Sequence, residues 1–450
     1  IGAAVGALVC GFWLISALGI WGTLAVAVGI NALIGLLCIR AAGGTRPVGG
    51  AGEREKAATE ITRESAPSVH RGAVGAALII FAISGFCAMA YEVIWTKLLG
   101  LLVGSTTYSF TIVLVTFILG LALGSILFGR LADRVKNPTM LLIGTQIAAA
   151  VFALGVSQLI GNSQLFFAKL LYYTKDEFAL RSALKAAALF VIMIFPTICL
   201  GATFPLVGKI FTRSITRVGR SIGVAYAINT IGAVSGSFAA GFILIPLLGK
   251  ETSLSSVIAF QLGTALIVTA WLLAKNRESL IKWLLLIIPA TAGIAACFYY
   301  PMWDRHALSL SRAHSVDEIA NAVRYYSWPE TILHGEQIMS DMNKGRLVYY
   351  GDGVGGFTTV LRNYYAMGDT CYSMANSGKV DASTLGDMGT QTLLGNLPML
   401  FHPNARNVMV LGLASGITAG EVLNFPVERL EVVEINSQVI DASDFFLPWN

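Results

Sequence analysis

Nine apolar stretches constrain this chain more than any other sequence feature. Each comes close to the roughly 20 residues that an α-helix needs to cross a bilayer. Hydrophobic residues make up 55% of the chain and charged residues 13%, whereas soluble domains carry about 25% charged residues. The sequence therefore predicts an α-helical transmembrane bundle with the lipid bilayer as its main partner. The stretches lie at 1–17, 20–39, 73–96, 107–129, 139–160, 184–208, 222–247, 253–274 and 280–299.

Charge and cysteine usage argue against several classes of function. The net charge of +5 does not require a nucleic-acid partner, because the basic residues cluster beside the apolar stretches. The six cysteines form no CxxC pair and the five histidines show no ligand spacing, so neither a disulfide framework nor a metal site is predicted. No signal peptide is visible. The chain begins at Ile1 inside an apolar run, and we expect its true start to lie further upstream. A homo-oligomer is compatible with the sequence.

An internal repeat with an offset of 230 residues indicates two related membrane halves. Residues 1–19 align with 231–249, and ten of the nineteen positions are identical. Parallel repeats of this kind are a transporter architecture. The first half is then truncated, with only its last two spans present. The predicted units are 1–40 (those two spans), 41–72 (a hydrophilic linker), 73–275 (a second half of six spans), 276–300 (a transmembrane or interfacial helix), 301–385 (a small β-rich part) and 386–450 (the start of an α/β domain).

Basic residues in short loops predict the orientation of the bundle, because such loops stay in the cytoplasm. If 280–299 crosses the membrane, everything after Tyr300 lies outside the cytoplasm; an interfacial 280–299 would place it inside. The basic loops carry Arg130, Arg134 and Lys136; Lys209, Arg213, Arg217 and Arg220; and Lys275, Arg277 and Lys282.

Two short motifs in the bundle are functional candidates. Residues 129–134, GRLADR, either hold two helix ends together by charge pairing or form a plain positive loop. Glu92 interrupts an apolar helix, where a carboxylate is costly unless it is paired or faces a wet cavity. Glu92 is therefore a membrane functional candidate, unless it lies near the membrane edge. Tyr91 and Trp95 fit an interfacial aromatic belt.

After Pro301 the composition changes to that of a soluble domain. Short β-type runs at 346–350, 357–362 and 371–375 predict a small antiparallel subdomain, with hairpin turns at Gly351–Gly353 and Asn376–Gly378. A helix is expected over Met388–Phe401.

Residues 407–434 show the pattern of a nucleoside-binding α/β unit. An apolar run ends at Leu411, a turn of small residues runs from Gly412 to Gly416, a helix is expected over 417–424, and a second apolar run ends at Glu434. A small turn allows close backbone approach to a ligand, and a carboxylate at this distance can accept hydrogen bonds from ribose hydroxyls. The alternative is an ordinary βαβ unit with a glycine-rich turn. A doubly wound sheet needs more strands, so we expect an incomplete Rossmann-like domain that continues beyond Asn450.

The order of these motifs resembles the spermidine synthase (polyamine aminopropyltransferase) family. It is most similar to the branch in which a major-facilitator-like bundle precedes the synthase domain, and the likeness extends over the whole chain. The motifs are Tyr91–Leu99, Gly104–Thr106, Gly378–Ser383 (GKVDAS), Asp387 with Gln391–Pro398 (QTLLGNLP), Leu411–Gly416 (LGLASG) and Val432–Ile435 (VVEI).

This resemblance implies transfer of an aminopropyl group from decarboxylated S-adenosylmethionine to a diamine such as putrescine, without a metal. It implies cofactor contacts from the glycine turn, from Glu434 at the ribose and from Asp381. It also implies that Asp387 and Gln391 bind the amine. The implied turn residues are Gly412, Ala414, Ser415 and Gly416.

The chain departs from the family pattern at several positions. Ser415 stands where soluble synthases carry an Asp that pairs with the cofactor amine, and Thr390-Gln391 replaces a Tyr-His pair. The catalytic Asp of the family is expected beyond Asn450. Two alternatives therefore stay open. One is a transporter or sensor with a non-catalytic domain that binds a nucleoside or polyamine. The other is a methyltransferase that uses S-adenosylmethionine itself.

Overall fold

A computed structural model describes residues 1–43, 71–104, 106–211, 218–275, 280–309, 319–342, 345–353, 356–364 and 370–450. Its first part is a bundle of long helices. They are α1 (Gly2–Val9), α2 (Ile15–Gly43), α3 (Arg71–Val103), α4 (Thr107–Arg134), α5 (Pro138–Asn162), α6 (Gln164–Tyr173), α7 (Phe178–Gly201), α8 (Thr203–Phe211), α9 (Val218–Phe238), α10 (Ile245–Lys275) and α11 (Leu280–Ala296). Most of the predicted linker, the basic residues Arg213, Arg217 and Arg277, and Ser105 lie outside the described residues.

Six helices in the described part of the chain are long and apolar enough to cross a membrane. The difference from the nine predicted stretches has a simple origin. Two pairs of stretches are continuous but kinked, within Gly2–Ala41 and Ile222–Ala274, and the ninth stretch forms a shorter apolar helix, Ile281–Ala296. Two of the six long helices contain two stretches each, the other four contain one each, and the short helix contains the ninth.

The two segments related by the predicted repeat share an unusual backbone. Each carries a π-helix, at Cys10–Leu14 and at Ala239–Leu244. Each then bends at a glycine with positive φ, 67° at Gly19 and 75° at Gly249, and these two glycines are 230 residues apart. Single-turn π segments inside α-helices are rare. Their recurrence at one offset, together with the bend, supports a common origin of the two segments.

Close helix contacts in the bundle depend on small residues, which let backbones approach each other in lipid. A methyl group at Gly236 of α9 would stand 2.1 Å from the carbonyl oxygen of Phe86 in α3. A methyl group at Gly124 of α4 would stand 2.2 Å from the carbonyl oxygen of Ile198 in α7. Any larger residue at either position would therefore push the helix pair apart.

Tyr91 and Trp95 lie in the core of the bundle, so the predicted interfacial belt is wrong. Both side chains are fully buried. Tyr91 donates to Gln261 Oε1 at 2.6 Å, and Trp95 Nε1 donates to Ser157 Oγ at 3.0 Å. A Gln261–Gln146 bond of 3.0 Å extends this polar contact to a third helix. The aromatic polar groups are satisfied by partners inside the bundle, so they do not need the interface.

Helix α11 packs beside α5 and α10. A methyl group at Gly144 would meet Leu286, and one at Gly293 would meet Leu262. Beyond the helix, Gln158 bonds the backbone of Met302. The chain therefore leaves the bundle at the end opposite Arg130–Lys136.

Four short helices and a four-stranded antiparallel sheet follow the bundle. The helices are α12 (Arg305–Leu308), α13 (Ala320–Tyr325), α14 (Trp328–Leu333) and α15 (Gly335–Met342), and the strands are β1 (Arg346–Gly353), β2 (Gly356–Tyr364), β3 (Thr370–Asn376) and β4 (Lys379–Ser383). The predicted turn at Asn376–Gly378 is present, since Ser377 and Gly378 take φ of 49° and 77°, as two-residue hairpin turns require.

The predicted turn at Gly351–Gly353 is wrong, because all three residues belong to β1 and pair with β2. Gly351 is needed for space instead, since a methyl group there would lie 2.0 Å from Gln438 Oε1. The Asp352 carboxylate forms an ion pair with Lys250 of α10. Gly351 is therefore required for close packing and Asp352 for an ion pair, and neither residue forms a turn.

The last part of the chain contains the predicted strand–turn–helix–strand unit. Helix α16 (Met388–Phe401) precedes β5 (Asn407–Leu411), α17 (Ile417–Leu423), β6 (Arg429–Val433) and α18 (Ser437–Ser443). Strands β5 and β6 pair in parallel, with Leu411 opposite Val433. A parallel pair brings both carboxyl ends to one edge of the sheet, which places the turn after Leu411 beside Glu434.

Candidate functional site

The turn after β5 adopts left-handed backbone at three positions. Gly412, Ala414 and Gly416 have φ of 90°, 47° and 84°. Such a conformation costs an alanine about 1–2 kcal/mol, so surrounding contacts must hold Ala414 in place. One of these is the bond from Gly416 N to Leu413 O, 2.9 Å long. The small residues let the chain reverse within five residues.

The Glu434 carboxylate holds this turn against the end of β6 through two hydrogen bonds from backbone N–H groups. Its Oε2 accepts from Leu413 N at 2.9 Å, and its Oε1 accepts from Asn436 N at 2.9 Å. A carboxylate has about four lone-pair sites, so each oxygen retains one acceptor position after these contacts. The carboxylate thereby shapes the turn and can still accept hydroxyl groups of a ligand.

A cavity of about 500 Å³ opens beside this turn, between β5, α16 and the β3–β4 hairpin. Its only charged lining residues among those described are Asp381 and Glu434. The remaining lining is mostly apolar, with Val408, Val410 and Met399 on its walls. Such a cavity suits a ligand with an apolar body and a positive charge.

A relay of hydrogen bonds joins the two carboxylates through strand β2. The Asn436 side-chain amide donates to Thr358 Oγ1 at 2.9 Å, and Thr358 donates to Asn376 Oδ1 at 2.7 Å. Asn376 Nδ2 then donates to Asp381 Oδ2 at 2.9 Å. Since Asn436 also donates its backbone N–H to Glu434, both acids are positioned by one connected network.

Gln391 lines the cavity, but its amide is already engaged. Its Nε2 donates to Ser383 O at 2.9 Å, and its Oε1 accepts from Ser415. Ser415 itself is only 1% exposed and does not reach the cavity. Its hydroxyl therefore fixes helix α16 against the turn.

The site residues predicted from sequence thus divide into two groups. The structure brings Gly412, Ala414, Glu434, Asp381 and Gln391 together around the cavity, whereas Ser415, Gly416 and Asp387 do not line it. Asp387 pairs with Ser383, whose Oγ is 2.9 Å from Asp387 N. Gly416 packs against Asn450, because a methyl group there would lie 2.8 Å from Asn450 Nδ2.

Two residues of the site, Asn376 and Asn436, were missed by sequence reasoning. Asn376 lines the cavity and Asn436 caps helix α18, where its Oδ1 accepts from Gln438 N at 3.2 Å. An Asn directly before a helical run is a capping signal that would have identified Asn436. The sequence alone carries no signal that brings Thr358 and Asn376 together.

Beside Asn436, burial and the nearby Asp441 raise the pKa of Tyr349 to about 12. The Tyr349 hydroxyl donates to Gln438 Oε1 at 2.8 Å. Tyr349 therefore stays neutral near physiological pH and ties β1 to α18.

Glu92 of the bundle lies far from this cavity in the sequence and does not line it. It is half-buried on α3, and among the described residues it has no hydrogen-bond or ion-pair partner. Its predicted role stays a prediction.

The GRLADR residues, 129–134, form the last two turns of α4. Asp133 lies 3.8 Å from Lys209 at the end of α8, and Lys209 also bonds the carbonyl of Ala132. A charge pair therefore joins two helix ends. This agrees with the first of the two interpretations of the motif, charge pairing between helix ends, and not with a plain positive loop.

Comparison with known proteins places the similarity in the part of the chain that holds this cavity. The model of the spermine/spermidine synthase domain matches residues 388–449. The chain is 40% identical over 70 residues to the polyamine aminopropyltransferase of Archaeoglobus fulgidus, covering 16% of this chain and 26% of that protein. It is 43% identical over 56 residues to polyamine aminopropyltransferase 1 of Aquifex aeolicus, covering 12% and 20%.

Similarity also extends to a methyltransferase. Putrescine N-methyltransferase 2 of Nicotiana tabacum is 30% identical over 73 residues, which cover 16% of this chain and 21% of that protein. The chain thus spans about a quarter or less of each of these relatives. No solved structure matches the chain significantly. Within the described residues, no three His, Cys, Asp or Glu side chains are grouped as metal ligands.

Proposed function

We propose that this chain is part of a membrane-embedded aminopropyltransferase that moves an aminopropyl group from decarboxylated S-adenosylmethionine to a diamine such as putrescine. The observation that carries the proposal is the cavity whose charged lining residues are Asp381 and Glu434. Both substrates of this reaction are cationic, so a cavity lined by carboxylates suits them. The matched synthase domain, residues 388–449, provides most of its walls.

The chemistry requires little of the protein beyond positioning. The lone pair of a neutral amine attacks the aminopropyl carbon next to the sulfonium. A C–N bond forms, the C–S bond breaks with its electron pair staying on sulfur, and neutral methylthioadenosine leaves. Holding the reactants in line can account for several orders of magnitude in rate. The amine must also lose a proton to a base, which is not among the residues with an assigned role.

The roles of individual residues follow from their contacts. Glu434 accepts ribose hydroxyls with the lone pairs left after its bonds to Leu413 and Asn436. Gly412 and Ala414 keep the turn narrow beside the nucleoside. Asp381 faces the positive charge of the substrates, and the Asn376 amide fixes its orientation. Ser415 supports this arrangement from behind through its hydrogen bond to Gln391, which lines the cavity.

Incubation of the full-length protein in detergent with putrescine and decarboxylated S-adenosylmethionine tests the proposal. We expect spermidine and methylthioadenosine in equal amounts, and much less of both from Glu434→Gln. The Gln amide nitrogen would face a backbone N–H and lose a charge-assisted bond worth about 1.5–3 kcal/mol. Absence of both products from the wild-type protein would refute the proposal.

Methyl transfer from S-adenosylmethionine is the second candidate, favoured by the similarity to a putrescine N-methyltransferase. The same cavity and the same acid would serve that cofactor. Calorimetric titration with S-adenosylmethionine and with its decarboxylated form separates the candidates, because the two differ only by a carboxylate. Tighter binding of the decarboxylated form supports aminopropyl transfer, and tighter binding of the carboxylated form supports methyl transfer.

We further propose that residues 1–40 and 73–275 belong to two repeated halves of a major-facilitator-like bundle, followed by a β-rich part (301–385) and a Rossmann-like domain (386–450). The shared π-helices and kinks at Gly19 and Gly249 support the repeat.

The position of the soluble part at the bundle end away from Arg130–Lys136 supports a location outside the cytoplasm. Cys371 is buried and cannot report this topology. A cysteine in place of Lys379, whose side chain is 67% exposed, is the better probe. Its labelling by an impermeant maleimide in intact cells is expected, and labelling only after the membrane is opened would contradict the placement.

A further inference from the structure

Aromatic side chains collect at the end of the bundle that carries the soluble part. Tyr173 of α6 and Trp328 of α14 are both exposed, and their rings are in contact. Phe178, at the start of α7, is exposed too, and its ring centroid lies 5.1 Å from that of Tyr108 at the start of α4. Tyrosine and tryptophan concentrate at membrane–water interfaces, because their rings are apolar and carry one polar group. These rings therefore have the composition of the interfacial belt that the buried pair in α3 does not provide.

Trp328 rests on a strip of side chains that continues the lipid-facing surface of α5. The strip consists of residues seven positions apart, close to two helical turns, so they share one face; they are Phe152, Leu159, Phe166 and Tyr173. Phe152 and Leu159 are exposed on the membrane-spanning helix α5, and one residue separates α5 from α6. The Trp328 ring lies 5.6 Å from that of Phe166 and 6.2 Å from that of Tyr173. A side chain of the soluble part thus covers the end of a lipid-facing strip.

The length of α5 places this contact at the headgroup level of the bilayer. Phe166 stands 28 positions after Pro138, the residue at which α5 begins beside the basic Arg134 and Lys136. At about 1.5 Å per residue, this separation is about 42 Å. A bilayer with its headgroups is about 40–45 Å thick. Since the basic residues mark one surface of the membrane, Phe166 and Trp328 lie close to the other.

The protein holds Trp328 in place, and the charges around it are balanced. Lys169 is buried, donates to the carbonyl of Tyr326 and lies 5.1 Å from the Trp328 ring centroid. A capping box between Ser327 and Glu330 fixes the start of α14. Helices α6 and α7 with the turn between them, together with α13–α15, carry five basic and five acidic residues: Lys169, Lys175, Arg181, Lys185 and Arg324, and Asp176, Glu177, Glu330, Glu336 and Asp341. This surface therefore has no net charge that would select anionic lipids.

We propose that Trp328 and Tyr173 anchor the soluble part in the headgroup layer of the bilayer, irrespective of headgroup charge. Continuity identifies the partner: the strip beneath Trp328 is the lipid-facing strip of α5, so the layer beside it belongs to the same bilayer. The anchor gives the soluble part a membrane contact in addition to α11. It also limits how far α13–α15 can move away from the bundle. The anchor does not depend on the proposed enzymatic activity.

Photocrosslinking of the full-length protein in phosphatidylcholine nanodiscs tests this inference. The photoreactive residue p-benzoylphenylalanine replaces Trp328, Tyr173 or Phe401 in three separate variants, which keeps an aromatic ring at each position. Phe401 is the matched control, because it is exposed at the end of α16, a helix that packs against α17 and β4. After irradiation, intact-mass spectrometry is expected to show the added mass of one phospholipid on the Trp328 and Tyr173 variants and only the unmodified mass on the Phe401 variant.

Several outcomes overturn the proposal. Lipid adducts of equal yield at Trp328 and Phe401 would show that the reaction is not specific to the anchor. A crosslink to a second protein chain at Trp328 would show that another copy covers this surface. An adduct that forms in phosphatidylglycerol nanodiscs but not in phosphatidylcholine would show that headgroup charge controls the contact. Thermal unfolding checks that each variant is folded; if the Trp328 variant is not, the Tyr173 variant decides, and its failure to capture lipid overturns the proposal.

Discussion

Replacing Asp381 by asparagine should separate the charge of the candidate active site from its shape. The change keeps the side-chain size, so a hydrogen bond with Asn376 remains feasible. A sulfonium about 5 Å from a carboxylate gains about 3 kcal/mol at an effective dielectric of 20 and about 1 kcal/mol in water. The Asp381 side chain is 33% exposed and Lys379 lies 3.9 Å away, so solvent and a nearby cation reduce the gain to about 1.4 kcal/mol, which corresponds to about tenfold in affinity.

Two ligands that differ in charge provide the assay. Decarboxylated S-adenosylmethionine carries the sulfonium and an aminopropyl ammonium, whereas methylthioadenosine has the same nucleoside with a neutral sulfur and no aminopropyl group. Isothermal titration calorimetry should show the first ligand binding about tenfold more weakly to Asp381→Asn and the second binding as it does to the wild type.

The matched control is Asp387→Asn, which removes a charge from a residue that does not line the cavity. It should leave both affinities unchanged. If methylthioadenosine also binds about tenfold more weakly to Asp381→Asn, the residue acts through shape. If Asp387→Asn equals Asp381→Asn in its effect on the sulfonium, the effect comes from net charge. Either result would refute the reasoning.

Three further predictions concern stability. Lys250→Met should lower the unfolding free energy by about 3–5 kcal/mol, because it leaves Asp352 buried without its ion pair; adding Asp352→Asn should restore part of the loss in thermal unfolding. Gly249→Ala should destabilise by about 1–3 kcal/mol, since φ is 75° and the methyl would lie 2.9 Å from Asp352, whereas Gly263→Ala in the same helix has open space and should be neutral or stabilising. In the folded protein the pKa of Tyr349 is raised from 10 to about 12. The resulting stabilisation is complete below about pH 10 and is lost as the pH rises to about 12. Tyr349→Phe should therefore show a smaller fall in unfolding temperature over that pH range.

Each stability prediction has an outcome that contradicts it. Equal losses in Lys250→Met and in the double variant would mean that Asp352 is not the group left uncompensated. Equal effects at Gly249 and Gly263 would remove the argument from backbone strain. An unchanged alkaline transition in Tyr349→Phe would show that this hydroxyl does not control it.

The parts of the fold that could be predicted from sequence are those with local causes. Helix α16 and the unit from Asn407 to Glu434 follow from apolar periodicity and a turn of small residues, both of which act within a few positions. The spans follow from apolar length. The kink at Gly249 was predicted as a break between two spans, because the sequence does not distinguish a bend from a loop.

The features that escaped prediction depend on partners distant in the sequence. Gly351–Gly353 has the composition of a turn, yet Asp352 forms an ion pair with Lys250, which is 102 residues away in the sequence. Tyr91 has the composition of a membrane-interface residue, yet it bonds Gln261, 170 residues away. In each case a tertiary polar contact overrides a local preference. Leaving a buried polar group without a partner costs more free energy than the chain would gain from a turn or from an interfacial position.

The acid pair of the candidate site illustrates why site residues are harder to predict than strands. Glu434 follows β6 directly, and its position is fixed locally by the turn. Asp381 comes from a different sheet and, among the described residues, is linked to Glu434 through Asn436, Thr358 and Asn376. Thr358 is fully buried, and its hydroxyl both accepts and donates in this relay, which valine could not do. The distance between the two negative charges is thus set by strand β2, whose sequence, read alone, gives no sign of a role in the site.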